Sequence, residues 1–106
     1  MRVASVIRLR PEHEDAYRAL HRAVWPDVLA ALARAHVRNY SIFLRDGVLF
    51  SYLEYDGDDY PADMAAIAAD ETTRRWWELT DPCQQPVESA GPGEWWAPAE
   101  EVFHVD

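Results

Sequence analysis

The sequence predicts one α+β domain, a sandwich whose strands and helices follow the order β-α-β-β-α-β. Residues 1–106 are enough for a single domain with one modest core. Two apolar runs, residues 37–45 and 48–55, flank Asp46-Gly47, which is a strong hairpin signal because glycine takes positive φ at little cost. Apolar residues recur at helical spacing on either side of this hairpin, which predicts one helical segment before it and one after it.

The chain before the hairpin predicts a strand followed by an interrupted helix. Residues 2–10 are β-branched and apolar, as is typical of a strand. Pro11 opens the helix at a position where its missing N–H costs nothing. Pro26 removes a backbone hydrogen bond within the helical pattern, so we expect a break near residues 23–25 and a second helix that ends at about Ala35.

The chain after the hairpin predicts a loop, a helix, an irregular stretch and a final strand. The loop covers the acidic residues 56–63, and the helix runs from residue 64 to residue 80 with a break around residues 70–72. Residues 81–98 are rich in proline and irregular, and residues 101–105 form the last strand. This order matches the ferredoxin-like α/β sandwich.

Apolar side chains on both faces of the hairpin predict a homodimer. Phe43 points to the face opposite Ile42 and Leu44, and Phe50 points to the face opposite Leu49. A small sheet with helices on one side should have a polar second face. An apolar second face is most economically covered by the sheet of another copy, as in dimeric α/β barrels.

Charge and hydropathy exclude several classes of partner. The formal net charge is −9, from 10 Lys+Arg against 19 Asp+Glu. Nucleic-acid binding needs a basic footprint, and an anionic membrane would repel this chain. No apolar run approaches the ~20 residues that span a bilayer, and the N-terminus carries no apolar signal region. We therefore expect a cytoplasmic protein that binds neither nucleic acid nor membrane.

The sequence predicts no metal and no other cofactor. Its single cysteine, Cys83, cannot form an internal disulfide, and no pair of histidines has the spacing of a metal site. A glycine-rich phosphate loop, a Gly-x-Ser-x-Gly motif and a Cys-x2-Cys motif are all absent.

The first candidate site residues are Tyr17 and His21, which begin a series continued by Trp25. The three recur every four residues on the predicted helix, so Tyr17 and His21 can point from one helical face into one cavity. Histidine has a reference pKa of about 6.5 and can give or take a proton at neutral pH. The structural alternatives are a histidine hydrogen-bonded at the edge of the core and an ordinary core tyrosine.

Further candidate aromatic residues are Tyr40 on a predicted strand and the adjacent pair Trp76 and Trp77 on a predicted helix. Neighbours on a helix point about 100° apart, so both indoles cannot belong to one narrow core stripe. Aromatic walls around one imidazole suit a small polyhydroxy ligand with apolar C–H faces, such as a sugar. Packing in a Trp-rich core is the alternative for the indoles, and Tyr40 needs a polar partner whether or not that partner is a ligand.

Taken together, these pieces resemble the L-rhamnose mutarotase family. The matching segments, in an order and at separations that fit nearly the whole chain, are Tyr17…His21…Val24-Trp25-Pro26, Asn39-Tyr40-Ser41-Ile42-Phe43-Leu44, Leu49-Phe50…Glu54, Trp76-Trp77 and Glu101-Val102-Phe103-His104-Val105-Asp106. The least similar stretches are residues 56–70 and 83–98.

The resemblance implies a function and roles for the candidate residues. The protein would be a cofactor-free dimeric isomerase that interconverts the α and β anomers of a 6-deoxy hexose. L-Rhamnose is the favoured sugar, and L-fucose is the alternative. His21 would be the proton donor, and Tyr17, Tyr40, Trp76 and Trp77 would contact the sugar. The group that acts as the complementary base stays open between a tyrosine, a carboxylate and water.

Two other functions fit the same residues. A cofactor-free oxygenase or isomerase on the same dimeric barrel would also use an aromatic pocket with one histidine. A non-catalytic sugar-binding module would bind sugar without accelerating anomer exchange. Fold analogy alone does not choose between such functions.

Overall fold

The computed structural model describes residues 1–106 and consists of a curled antiparallel sheet with helices packed against one face. The strands are β1 (Arg2–Leu9), β2 (Val37–Arg45), β3 (Val48–Tyr55), β4 (Gln84–Gln85) and β5 (Ala97–Ala99). The helices are α1 (Glu14–His21), α2 (Pro26–Arg34), α3 (Tyr60–Ala69) and α4 (Glu71–Thr80), with short 3-10 turns at Pro11–His13 and Asp81–Cys83. This mixed architecture agrees with the predicted ferredoxin-like class.

The sheet order is β2-β3-β1, with β4 and β5 both paired to the remaining edge of β1. Gln84 and Gln85 pair with the end of β1, and β5 pairs with its middle. The fourth strand position is thus filled by two short pieces that run in the same direction, with residues 86–96 leaving the sheet between them.

The prediction of a last strand at Glu101–Val105 is wrong. Residues 101–106 have no regular secondary structure and are exposed. Ala97–Ala99 pairs with residues 4–6 of β1 in a register that would bring Glu101 opposite Arg2, so β1 ends where the predicted strand would begin. An ion pair between Arg2 and Glu101, 2.7 Å from Nε to Oε1, holds the start of this segment beside β1.

The predicted loop at residues 56–63 is too long by four residues. Helix α3 begins at Tyr60 because the Asp59 side chain accepts a hydrogen bond from the Ala62 N–H, 3.1 Å. Pro61 lies in the first turn, where its missing N–H breaks no helical hydrogen bond. The predicted interruption between this helix and the next is present at Asp70.

The hairpin and the helix break lie where the sequence predicts them. Asp46 and Gly47 have φ values of 51° and 73°, as a tight two-residue turn requires. Trp25 is extended, with φ −61° and ψ 135°, and Pro26 is the first residue of α2. The break at residues 23–25 is therefore confirmed.

Of the 106 residues, 16 are buried. One apolar cluster contains Ile7, Leu49 and Tyr17, and a second contains Val37 and Ile67. A cavity lined by members of both clusters also reaches Arg22 and Val24 at the helix break. No helix has the length and apolar character needed to cross a membrane.

Candidate functional site

Tyr17 and His21 lie one turn apart on α1, with ring centroids separated by 4.2 Å. Tyr17 is buried in the cluster with Ile7 and Leu49, while His21, the last residue of the helix, is partly exposed. Because α1 ends here, the imidazole projects beyond the core towards the cavity. The predicted neighbourhood of Tyr17 and His21 is thus present.

The His21 ring has a fixed orientation. Its Nδ1 lies 2.8 Å from the backbone carbonyl oxygen of Tyr17. A carbonyl can only accept, so Nδ1 carries a hydrogen and donates it, in the neutral and in the protonated ring alike. Any proton that the ring exchanges with a ligand therefore passes through Nε2.

Helix α4 supplies the two adjacent indoles, and they differ in burial. Trp76 is 5% exposed and packs edge-on against His21 and Trp25, with centroid separations of 5.4 Å and 5.3 Å. Trp77 is 38% exposed. The extended backbone at Trp25 allows its ring to reach Trp76, so the helix break contributes directly to this wall of the site.

A β-bulge in β2 directs Tyr40 to the same side of the sheet. Arg38 pairs with Glu54 and Ser41 pairs with Tyr52, so β2 has one extra residue between these pairs. Asn39 takes up the irregularity with φ 49°, a left-handed conformation that asparagine tolerates well. The extra residue lets Val37 and Tyr40 face the cavity together despite their odd spacing.

Two adjoining cavities of about 860 Å³ and about 440 Å³ share their central lining. The five candidate site residues line both of them, namely Tyr17, His21, Tyr40, Trp76 and Trp77. The larger cavity extends between α2, α3 and the sheet and is mostly apolar. The smaller one is the polar part of the site, since Thr80, Asp81 and Gln84 contribute to its wall.

Sequence reasoning missed the polar residues Gln84 and Asp81. Gln84 is almost completely buried, and its side chain joins Tyr17 to Trp95 by hydrogen bonds. Asp81 is the one carboxylate that lines either cavity. Nothing local marks these residues in a proline-rich stretch. The adjacent pair Trp95-Trp96 was the available signal, since both indoles line the smaller cavity.

Burial shifts the acid–base behaviour of three lining groups. It raises the pKa of the Tyr17 phenol above its ordinary value, while the hydrogen bond from Gln84 acts in the opposite direction. It also raises the pKa of Tyr40. Both phenols are therefore protonated at neutral pH. Burial likewise raises the pKa of the Asp81 carboxyl.

The described residues contain no group of His, Cys, Asp or Glu side chains arranged to hold a metal ion. The site can instead offer one titratable imidazole nitrogen, two phenol hydroxyls, one carboxylate and several indole faces. These groups can exchange a proton with a small ligand and pack against its apolar faces.

Comparison with known proteins identifies the family to which this arrangement belongs. A family model described as L-rhamnose mutarotase matches residues 2–105. The chain belongs to the L-rhamnose mutarotase family. Membership confirms the resemblance carried by the short motifs and groups the protein with carbohydrate isomerases that interconvert anomers.

Individual relatives in the L-rhamnose mutarotase family match along almost the whole chain. The L-rhamnose mutarotase of Burkholderia orbicola (strain MC0-3) is 34% identical, over 98% of this chain and 97% of the relative. That of Lactiplantibacillus plantarum is 31% identical, over 100% of this chain and 99% of the relative.

Two solved structures are similar to this mutarotase-family chain. The L-rhamnose mutarotase FA22100 from Formosa agariphila has a TM-score of 0.78 at 25% identity and covers 100% of this chain and 99% of its own. Tetracenomycin F2 cyclase from Streptomyces glaucescens, a type-II polyketide cyclase, has a TM-score of 0.76 at 16% identity and covers 100% of this chain and 97% of its own. The second likeness concerns the fold alone.

The cap of α4 gives a prediction about stability and pH. The Asp70 carboxylate accepts hydrogen bonds from the Thr73 N–H and hydroxyl, at 2.9 Å and 2.8 Å, and these bonds lower its pKa, the backbone bond most. Its stabilising effect is therefore complete above the unfolded pKa of about 3.9 and is lost as pH falls through the lower folded value. Asp70→Ala should reduce the free energy of unfolding near neutral pH and have a much smaller effect in strong acid, as measured by urea unfolding.

Asp70→Asn is the matched control, because asparagine caps helices well but does not titrate. We expect it to keep most of the neutral-pH stability and to lose the acid-dependent difference. An Asp70→Ala penalty that is the same at every pH would contradict the charged cap.

Proposed function

We propose that this protein interconverts the α and β anomers of L-rhamnose, with His21 as the proton donor. The observation that supports this role is the hydrogen bond from Nδ1 to the Tyr17 carbonyl, since it leaves Nε2 as the exchanging atom in an aromatic cavity. The family matches support L-rhamnose as the sugar.

The reaction needs one group to give a proton and another to take one. As the C1–O5 bond breaks, the ring oxygen gains a proton and the anomeric hydroxyl loses one, which leaves an open-chain aldehyde. Protonated His21 gives its Nε2 hydrogen to the ring oxygen. Rotation about C1–C2 presents the other carbonyl face, and closure returns the proton from O5 to Nε2 while the carbonyl oxygen regains its own.

The properties of the lining groups limit which of them can act as the complementary base. Tyr17 and Tyr40 carry raised pKa values and hold their protons at neutral pH, so neither phenol suits this role. Of the alternatives left by the sequence, the Asp81 carboxylate and water fit the cavity. Burial raises the pKa of Asp81, which makes it a stronger base when it is ionised.

Aromatic side chains account for sugar binding in this proposal. Trp77 is half-exposed to solvent and lines both cavities. The face of its ring is therefore available for the apolar C–H groups of a pyranose. Trp76 is held between His21 and Trp25, so it contacts the sugar mainly as a rigid wall. Tyr40 offers a protonated hydroxyl to the sugar.

No specific observation favours either of the two other functions considered for these residues. The polyketide cyclase likeness concerns the fold, and the same fold carries the mutarotase of Formosa agariphila. A binding module would need no proton exchange at Nε2, whereas the family is one of anomer-interconverting enzymes.

The role of His21 has a direct test. His21→Ala should reduce the catalysed exchange between anomers of L-rhamnose by roughly 10²–10⁴-fold, the usual worth of a general acid. Saturation-transfer NMR between the two anomeric protons measures this rate, with L-fucose run in parallel. His13→Ala is the control, since His13 lies in the 3-10 turn and lines neither cavity. A folded His21→Ala protein that exchanges the anomers at the wild-type rate would contradict the assignment of His21 as the proton donor.

The two indoles should respond differently to truncation. Trp77→Ala should raise KM with a smaller change in kcat and stability, because a half-exposed ring loses ligand contact more than core packing. Trp76→Ala should also lower the free energy of unfolding, by roughly 3–5 kcal/mol, because a buried aromatic side chain is removed. Sugar titrations and urea unfolding of both variants separate these effects. Equal losses of stability in both variants would contradict the distinction.

We also propose that the active form is a homodimer joined through the outer face of the sheet. Phe43 and Phe50 are directly paired across β2 and β3, are 61% and 44% exposed, and alternate along their strands with Leu44 and Leu49, which line the larger cavity. Val102 and Phe103, also highly exposed, follow the sheet edge nearby in the chain. A contiguous apolar face of this kind is typical of an interface between copies.

The dimer is tested by placing a charge on this face. Phe43→Glu should weaken self-association at least tenfold, because a carboxylate would be buried without a partner. Analytical ultracentrifugation over a concentration series measures the change. Leu79→Glu is the matched control, since Leu79 is an exposed apolar residue on α4. Equal association of both variants, or a monomeric wild-type protein, would contradict the proposed interface.

A further inference from the structure

Three side chains form a hydrogen-bonded series behind the catalytic helix. The Trp95 indole Nε1 donates to Gln84 Oε1 at 2.9 Å, and Gln84 Nε2 donates to the Tyr17 hydroxyl at 3.3 Å. Gln84 is only 4% exposed, so its amide depends on these partners for its hydrogen bonds. The three residues come from α1, β4 and the segment between β4 and β5, and they meet at the smaller cavity.

The direction of each bond in this series is fixed by chemistry. An indole N–H can only donate, so the amide oxygen of Gln84 must face Trp95. The amide NH2 group then faces Tyr17, and the phenol oxygen must accept. The Tyr17 hydroxyl makes no hydrogen bond in the protein other than this one, in which it accepts, so its own proton is left for a ligand.

Backbone pairing holds the middle of the series in place. Gln84 pairs with Leu9 on β1, and the adjoining Arg10 N–H donates to the Cys83 carbonyl at 2.8 Å. Cys83 itself packs in the cluster with Tyr17 and Leu9. The amide is therefore attached to the rigid sheet and not to the mobile end of a loop.

We propose that Gln84, oriented by Trp95, is a positioning residue that holds the Tyr17 hydroxyl as a hydrogen-bond donor to an oxygen of the sugar. This inference rests on the proposed mutarotase function, and it adds that the sugar oxygen nearest Tyr17 is bound as an acceptor. The raised pKa of the Tyr17 phenol is consistent with a group that donates and keeps its proton.

Gln84→Glu tests the direction of the bond. At neutral pH the introduced carboxylate can only accept a hydrogen bond. The Tyr17 hydroxyl proton therefore turns away from the cavity and towards the carboxylate. We expect kcat/KM for L-rhamnose anomer exchange to fall about tenfold or more, the effect of losing one oriented hydrogen bond. Gln85→Glu is the matched control, because Gln85 carries the same charge change on the next, exposed position of β4.

The pH profile separates orientation from a general structural defect. A carboxylate at this buried position should have a pKa above the usual value of about 4.3. Once protonated, its O–H can donate to Tyr17 and restore the original direction. The ratio of variant to wild-type activity should therefore rise towards acidic pH. Other groups around the cavity, namely His21, Tyr17, Tyr40 and Asp81, also titrate in both proteins, and the pH profile of Gln85→Glu shows how far an added carboxylate on β4 alters them.

If the Gln84→Glu protein does not fold, Trp95→Phe provides a second test of the same proposal. It removes the indole donor and the five-membered ring at a half-exposed position, so the Gln84 amide can turn over. We expect a severalfold fall in kcat/KM with a wild-type pH profile. Wild-type kcat/KM in a folded Gln84→Glu or Trp95→Phe protein would overturn the proposal, as would a variant-to-wild-type ratio for Gln84→Glu that does not change with pH.

NMR of side-chain protons distinguishes failure of this inference from failure of the proposed function. Tyr17→Phe should shift the Gln84 amide resonance and leave the Trp95 indole resonance nearly unchanged. If the wild-type protein does not accelerate anomer exchange, the proposed function fails whatever the NMR result. If exchange is accelerated but the Gln84 amide resonance is the same in both proteins, the positioning role fails alone.

Discussion

The interruption of the helical layer at Pro26 is the constraint on which the site depends. A continuous helix would carry His21, Trp25 and the apolar residues of α2 along one stripe and press them all against the sheet. The proline instead ends α1 at His21 and leaves Trp25 extended. The imidazole then bonds back to its own helix, and the indole turns to meet Trp76. One residue without an N–H thus separates the His21 imidazole from the core.

Two further backbone irregularities complete the cavity. The bulge at Asn39 directs Tyr40 inward from β2, and the gap between β4 and β5 brings Trp95 over Gln84. Each irregularity gives up some regular pairing and directs a side chain into the lining of the cavity. The regular parts of the fold, β1 and β3 above all, supply the rigid frame against which these departures are held.

The features that could be predicted from the sequence are those that neighbouring residues determine. The bounds of β2 and β3 follow from a glycine turn between apolar runs, and the start of α2 follows from a proline. The separations of Tyr17 and His21 follow from helical geometry. The final strand and Gln84 were beyond such reasoning, because they depend on which segments occupy the free edge of β1 in the folded protein. Competition for a strand edge is a long-range event that no local pattern records.

The two pieces of the edge strand have a consequence for variation. Gln85 pairs with Arg8 and Ala97 pairs with Val6, so residues 86–96 leave and rejoin the sheet at points only about 6–7 Å apart along β1. With both ends anchored so closely, doubling the length of this segment would cost only about 0.6 kcal/mol in closure entropy. The stretch of this segment before Trp95 and Trp96 can thus be lengthened, shortened or replaced while the sheet stays folded and the two indoles keep their places at the cavity.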